Sequence, residues 1–285
     1  MIQYIKRKDL DIEKYNACIE NSVQSRIYAF SWYLDIVADN WDVLVFGDYE
    51  AVMPIPWSKK YGVKYITQPF QCQQLGVFSL DNLSKETQRK FINKIPKKYL
   101  KVTLNFNSNN HFDDNMIENK NYILKLNEPF IHQFKTFSKG RKHAVKVGEK
   151  KELILKETSI LSLIKIQEEF YNYSGFSKVK LEKLSEYVLN NKKGFVLGVF
   201  KDEVLLGGGF FLKSNNRITY LFSSFTNDGK KLQASSFLLN SIIKKYENSN
   251  FVLDFEGGNM PNIGSFYKSF GAEVETYFSF NRMFL

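Results

Sequence analysis

Two carboxylates close an apolar run near the C-terminus, in Phe251-Val-Leu-Asp254-Phe-Glu256-Gly-Gly. Two residues apart on an extended segment, Asp254 and Glu256 share one face, with Phe255 opposite. A carboxylate at such a strand end can take the proton of an attacking amine, which is general-base chemistry. A salt bridge to a lysine across the strand end is the structural alternative. Upstream, Thr226–Ala234 carries Gly229, Lys230, Lys231, Gln233 and Ala234 into a helical segment. Free N–H groups and the helix dipole there suit the anionic part of a donor, against the alternative of an ordinary capped loop. In Phe137–Lys146, Ser138 can cap a helix on which Lys139, Lys142 and Lys146 share a face flanked by Arg141. That stripe suits phosphates of a nucleotide-linked substrate or a tRNA end, or is a solvated face. Gln68–Gly76 is dense in amides, and Gln74 among them can hydrogen-bond a peptide or sugar, or belong to a polar strand-end loop.

Composition narrows the classes. The 285 residues are 44% hydrophobic, enough for a full core. The 26 Phe and 16 Tyr point to an aromatic core rather than to a stacking platform for bases. Cys18 and Cys72 stand far apart, and His111, His132 and His143 lack paired spacing, so no metal is expected. Neither a secretory leader nor a membrane-length apolar run is read, and a cytoplasmic location is expected. Forty Lys and Arg against thirty Asp and Glu leave a net charge of +10, which favours anionic partners or serves solubility.

The elements that position these residues come in two copies. Residues 43–70 and 196–225 each read as strand, polar turn, strand, polar loop, strand. Each meander follows a helix, around Ser31–Ala38 and around Leu161–Tyr173. Each is followed by another helix, Lys85–Ile95 or Ser235–Tyr246, and by a short strand, Val102–Phe106 or Phe251–Phe255. Val45 beside Val199 and Leu104 beside Leu253 give nearly one offset. That alignment sets Asn105 and Asn107 against Asp254 and Glu256, so one copy works while the other scaffolds. The expected division is residues 1–130 and residues 131–285, the second entered through the basic helix 138–150. A helix closed by Gly271 and a strand pair, Glu273–Phe280 running into Arg282–Leu285, complete the chain.

A strand, a loop, a helix, a strand ending in acids and then the helix Phe266-Tyr-Lys-Ser-Phe-Gly-Ala272 resemble the GNAT acyltransferase superfamily. The tandem order with a basic junction helix resembles the Fem-type peptidyl (aminoacyl) transferases. The resemblance implies an α/β (α+β) fold of two GNAT-like domains, each a mixed, mainly antiparallel sheet flanked by helices. It places Tyr267 where many GNAT enzymes keep a general acid for the leaving group. The superfamily's acyl-CoA signature, Arg/Gln-x-x-Gly-x-Gly/Ala, is not intact in Gly229–Ser235, which has one glycine. Fem-type enzymes take their acyl group from aminoacyl-tRNA, so both aminoacyl-tRNA and acyl-CoA stand as donors. The expected reaction is acyl or aminoacyl transfer to an amine of a cell-envelope precursor. Acetyl-CoA-dependent acetylation of a sugar or small amine is the first alternative, and an inactive binder of an anionic ligand or RNA the second.

Overall fold

A computed structural model of the protein describes residues 1–171 and 177–283. These divide into two compact units, one of Met1–Asn119 with the C-terminal residues from Thr276, the other of Lys120–Glu275. In chain order the elements are β1 (Ile2–Lys6), α1 (Ile12–Asn21), α2 (Ser31–Val37), β2 (Asn40–Phe46), β3 (Ala51–Lys60), β4 (Val63–Thr67), β5 (Phe78–Ser79), α3 (Lys85–Asn93) and β6 (Tyr99–Phe106). There follow β7 (Ile117–Lys125), α4 (Phe130–Thr136), α5 (Lys139–Lys150), β8 (Ile154–Glu157), α6 (Ile160–Phe170), α7 (Lys178–Asn190), β9 (Gly194–Lys201), β10 (Val204–Ser214) and β11 (Arg217–Phe225). The chain ends with α8 (Asn227–Lys231), α9 (Ala234–Lys245), β12 (Val252–Asp254), α10 (Pro261–Lys268) and β13 (Glu273–Met283).

The first unit's sheet runs β1-β2-β3-β4-β6-β13, antiparallel except for the parallel pair β4 and β6. The second unit's sheet runs β8-β9-β10-β11-β12-β7, antiparallel except for β11 and β12. The two orders match strand for strand, as the repeat predicts. The sixth strand differs in origin: β13 ends the chain, whereas β7 precedes the unit it joins. This is why the division departs from the expected break at residue 130. Ile123 and Leu124 of β7 are already paired with Asp254 and Leu253, while Phe278–Met283 of β13 pairs with β6. The expected final strand pair is this one strand, and its last two residues, with Asn172 and Tyr173 of the expected Leu161–Tyr173 helix, lie outside the described residues.

Each unit has its own core. In the first, Leu44, Met53 and Ile55 of the meander pack with Phe91 and Ile92 of α3 and with Leu104 and Phe106 of β6. Pro54 and Pro56 sit inside β3, which is tolerable because β3 pairs with β4 only from Trp57 onward. In the second core, Phe211, Ile218 and Leu253 meet Leu238, Leu239, Ile242 and Ile243 of α9. Helix α5 starts at Ser138, whose hydroxyl accepts the Arg141 N–H at 3.2 Å, and lies close on α9 at Gly148. A Cβ on Gly148 would stand 3.0 Å from Phe237 Cβ.

Candidate functional site

The chemistry gathers in the second unit where β11 and β12 part. Their parallel pairing covers three steps, Arg217 with Val252, Ile218 with Leu253 and Thr219 with Asp254, and then stops. Strand β11 continues to Phe225, so one edge of its second half is left beside an opening. Just there the β10 register shifts, and Leu221 is the extra residue of a bulge between Tyr220 and Phe222. A bulge re-aims backbone groups away from the ladder.

Asp254 is fully buried. It accepts from Arg217 Nη1 at 2.6 Å and Asn121 Nδ2 at 2.8 Å, and from the Glu256 N–H at 2.9 Å. Arg217 also donates to Glu275 at 2.9 Å, and Asn121 Oδ1 accepts the Gly257 N–H at 3.0 Å. Burial works against the Arg217 charge, but Asp254 and Glu275 outweigh it and hold the guanidinium's pKa above its ordinary value. Asp254 therefore belongs to a buried ion-pair network that anchors the end of β12. This takes it out of the proton-accepting role read in the sequence. The cation is Arg217 of the next strand, not a lysine. Arg217, Glu275 and Asn121 were not singled out in the sequence, because strand pairing brings them together from three separate segments.

The same pairing corrects the comparison with Asn105 and Asn107. Lys60 pairs with Val63 and Ser214 with Arg217, so the hairpins align Val63 with Arg217. Lys64 then pairs with Tyr99 where Ile218 pairs with Leu253. A register shift between Lys64 and Ile66 then carries the pairing on to Ile66 with Val102 and Thr67 with Thr103, so the place of Asp254 falls at Leu100 or Lys101, short of Asn105.

Glu256 follows directly, half-buried and at φ +51°. A glutamate in the left-handed region costs about 1 kcal/mol and is held there by its surroundings. Tyr267 on α10 stacks on Phe255 with centroids 4.6 Å apart. Burial, with the nearby charges of Glu256 and Asp254, raises its pKa and keeps the phenol protonated. The same helix places Phe266 and Phe270 against the Arg141 guanidinium, at 4.2 and 4.6 Å from the ring centroids. Arg141 donates to Ser269 Oγ at 2.9 Å and to Ser236 Oγ. Its partners are hydroxyls and ring faces, none of them a carboxylate. Burial lowers its pKa to about 10.

Ser236 lies in the first turn of α9, and the N–H groups of Ala234, Ser235 and Ser236 have no acceptor among the described residues. Gln233 enters this turn at φ +61°, and its Oε1 accepts from Ser236 Oγ. Arg141 and the α9 N-terminus therefore form one electropositive corner. The rest of the expected donor loop is arranged differently. Residues 227–231 form the short helix α8, and the N–H groups of Gly229 and Lys230 are taken by Thr226 Oγ1 and O at 3.0 Å each. Lys231 pairs with Asp228 at 3.2 Å, and Lys230 lies over the Tyr171 ring. On α5, Lys142 donates to the Lys135 carbonyl at 2.7 Å, while Lys139 and Lys146 are exposed. Only Arg141 of that basic segment turns inward.

Gly229 fixes α8 by close approach. Thr226 N–H donates to the Leu206 carbonyl at 2.9 Å, and a Cβ on Gly229 would meet that oxygen at 2.2 Å. Gly229→Val is expected to lower stability by about 1–3 kcal/mol through overpacking. Urea unfolding of variant and wild type measures it.

In the first unit the corresponding opening is filled by the chain itself. Beyond Thr67 and Thr103, Leu75 lies beside β6, donating to the Asn105 carbonyl and accepting from the Asn107 N–H, each at 2.8 Å. Gln68 Oε1 accepts the Asn105 N–H at 3.1 Å, and Asn105 Nδ2 donates to the Gln73 carbonyl at 3.1 Å. Gln74, a candidate substrate contact in the sequence, belongs to this plug and is fully buried. Its Nε2 donates to Gln73 at 2.7 Å, and its Oε1 is unpaired. Among the described residues no group of His, Cys, Asp or Glu side chains is placed to hold a metal, and no helix is long and apolar enough to cross a membrane.

No family model matches the sequence, and no curated protein matches it. Solved structures do resemble it. FemX shares a TM-score of 0.72 at 9% identity, over 99% of this chain and 97% of that one. L-PGS from Bacillus licheniformis shares 0.56 at 12% identity, over 95% and 91%. A tandem GNAT protein from the clavulanic acid biosynthesis pathway shares 0.53 at 9%, over 99% and 98%. At these identities the likeness is one of fold, and the fold is that of GNAT-type and Fem-type proteins.

Proposed function

We propose that the protein is an N-acyltransferase whose second unit moves an acyl or aminoacyl group from a phosphate-bearing donor to an amine. One observation carries this reading. Arg141 holds a half-buried charge among neutral groups, beside three N–H groups without acceptors at the start of α9. An anion there would restore the solvation the guanidinium has lost and meet the positive end of the helix. Acyl-CoA and aminoacyl-tRNA both supply one.

The reaction follows from the neighbouring groups. The amine nitrogen attacks the donor carbonyl carbon, and a C–N bond forms as the C–S or C–O bond to the carrier breaks. Glu256, directly or through a water, takes the nitrogen's proton. Tyr267, which keeps its proton at neutral pH, gives it to the departing thiolate or alkoxide. We assign the stabilisation of the tetrahedral oxyanion to backbone N–H groups of β11 around the Leu221 bulge. For the acceptor we favour an amine of a cell-envelope precursor, on the sequence resemblance to Fem-type enzymes and the structural likeness to FemX. A cytoplasmic setting is part of this proposal.

Titration with acetyl-CoA and, separately, with aminoacyl-tRNA at two salt concentrations tests the donor. One of the two should bind saturably, and Arg141→Met should weaken it about tenfold or more. Steep salt dependence marks the tRNA donor. If neither binds, or if Arg141→Met binds like wild type, the donor corner is misassigned. Binding without any transfer would favour the inactive binder.

A further inference from the structure

The first unit holds a second electropositive site, at the end of its sheet opposite the Leu75 plug. A cleft of about 420 Å³ opens where β4 and β6 begin, with Lys64 and Tyr99 paired at its base. Five cationic side chains line it against three carboxylates, and the carboxylates are engaged. Asp35 accepts two hydrogen bonds from Arg7 and one from Trp41. Asp39 accepts from Ser58. Asp42 is buried and accepts from Tyr4, Tyr99, Trp57 and the Arg7 N–H. Lys6, Lys64 and Lys98 have no carboxylate partner.

The walls hold Lys64 and Lys98 in place. Lys64 Nζ stands 4.3 Å from the Trp57 ring centroid. Lys98 Nζ lies 4.5 Å from the Tyr4 centroid and 5.1 Å from that of Tyr99, and donates to the Tyr4 hydroxyl at 2.8 Å. Burial lowers the Lys98 pKa, and repulsion from Lys64 and Lys6 adds to this against the pull of Asp42. The Tyr4–Asp42–Tyr99–Trp57 network beneath is fully hydrogen-bonded and rigid.

We propose that this cleft binds the phosphate or diphosphate group of a small soluble ligand through Lys6, Lys64 and Lys98. Three ammonium groups lining one cleft suit a tetrahedral anion with several acceptor oxygens better than a two-oxygen carboxylate. The volume of this open cleft falls in the small-molecule range. Asp35 and Asp39 interrupt the basic surface, which disfavours a long polyanion laid across it. The site involves none of the second unit's groups and does not rest on the transferase reading.

Inorganic pyrophosphate is the probe, titrated into the full chain at constant ionic strength held by chloride. Heat and tryptophan fluorescence report binding, since two of the three tryptophans, Trp41 and Trp57, line the cleft. Saturable binding is expected, weakened about tenfold or more in Lys64→Gln and again in Lys98→Gln. Lys85→Gln, exposed at the start of α3, should bind like wild type. Thermal melts of each variant show whether it is folded. A response that follows ionic strength alone, or equal affinity in folded Lys98→Gln, overturns the proposal. So does binding of a short RNA but not of pyrophosphate.

Discussion

Glu256→Gln is expected to lower turnover about a hundredfold or more while leaving the urea midpoint and donor affinity near wild type. The carboxylate is half-buried at a strand end, beside a tyrosine whose phenol feels its charge. Gln keeps the shape and hydrogen-bonding reach of Glu but cannot accept a proton. The positive φ at this position burdens both side chains alike, so stability is a fair control. Steady-state rates with the donor identified by titration give the first arm, and urea unfolding gives the second. Unchanged turnover in a folded variant would remove Glu256 from the mechanism. An equal fall in stability would make its role structural.

Arg217→Met is expected to be the most destabilising of these substitutions, by about 3–5 kcal/mol. It leaves Asp254 and Glu275 facing each other in a site where their exposures are 1% and 13%. Neutralising those partners as well, with Asp254→Asn and Glu275→Gln, should recover most of the loss, because the cost lies in unpaired buried charge. Urea unfolding of wild type, Arg217→Met and the triple variant measures it. If Arg217→Met costs less than about 1 kcal/mol, the network does not anchor β12. Turnover should fall with the fold here, whereas in Glu256→Gln it falls alone.

The duplicated unit was legible because each copy spells out its strands, turns and helices locally. Hydrophobic alternation, Gly271 at a helix end and the polar turns between strands need no distant partner to be read. The domain boundary was less legible, because β7 and β13 look alike as isolated strands and differ only in which sheet they complete. Within the site, the Ser138 cap and the place of Arg141 beside the lysine face could be read from helix spacing. Which basic residue turned inward could not, since Lys139, Lys142 and Arg141 differ in what α9 and α10 offer them.

By itself the sequence determined the two copies, their element order, the aromatic cores, and the placement of Glu256, Tyr267 and the α9 start within one stretch. These follow from local propensity and periodicity, which act over a few residues. Tertiary structure alone decided that Asp254 is spent on Arg217 and that Leu75 fills the first unit's opening. It also gathered Lys6, Lys64 and Lys98 around one cleft whose carboxylates are bonded to other groups. Each of these depends on strand register between distant segments, and a shift of one residue would send every such side chain to the other face.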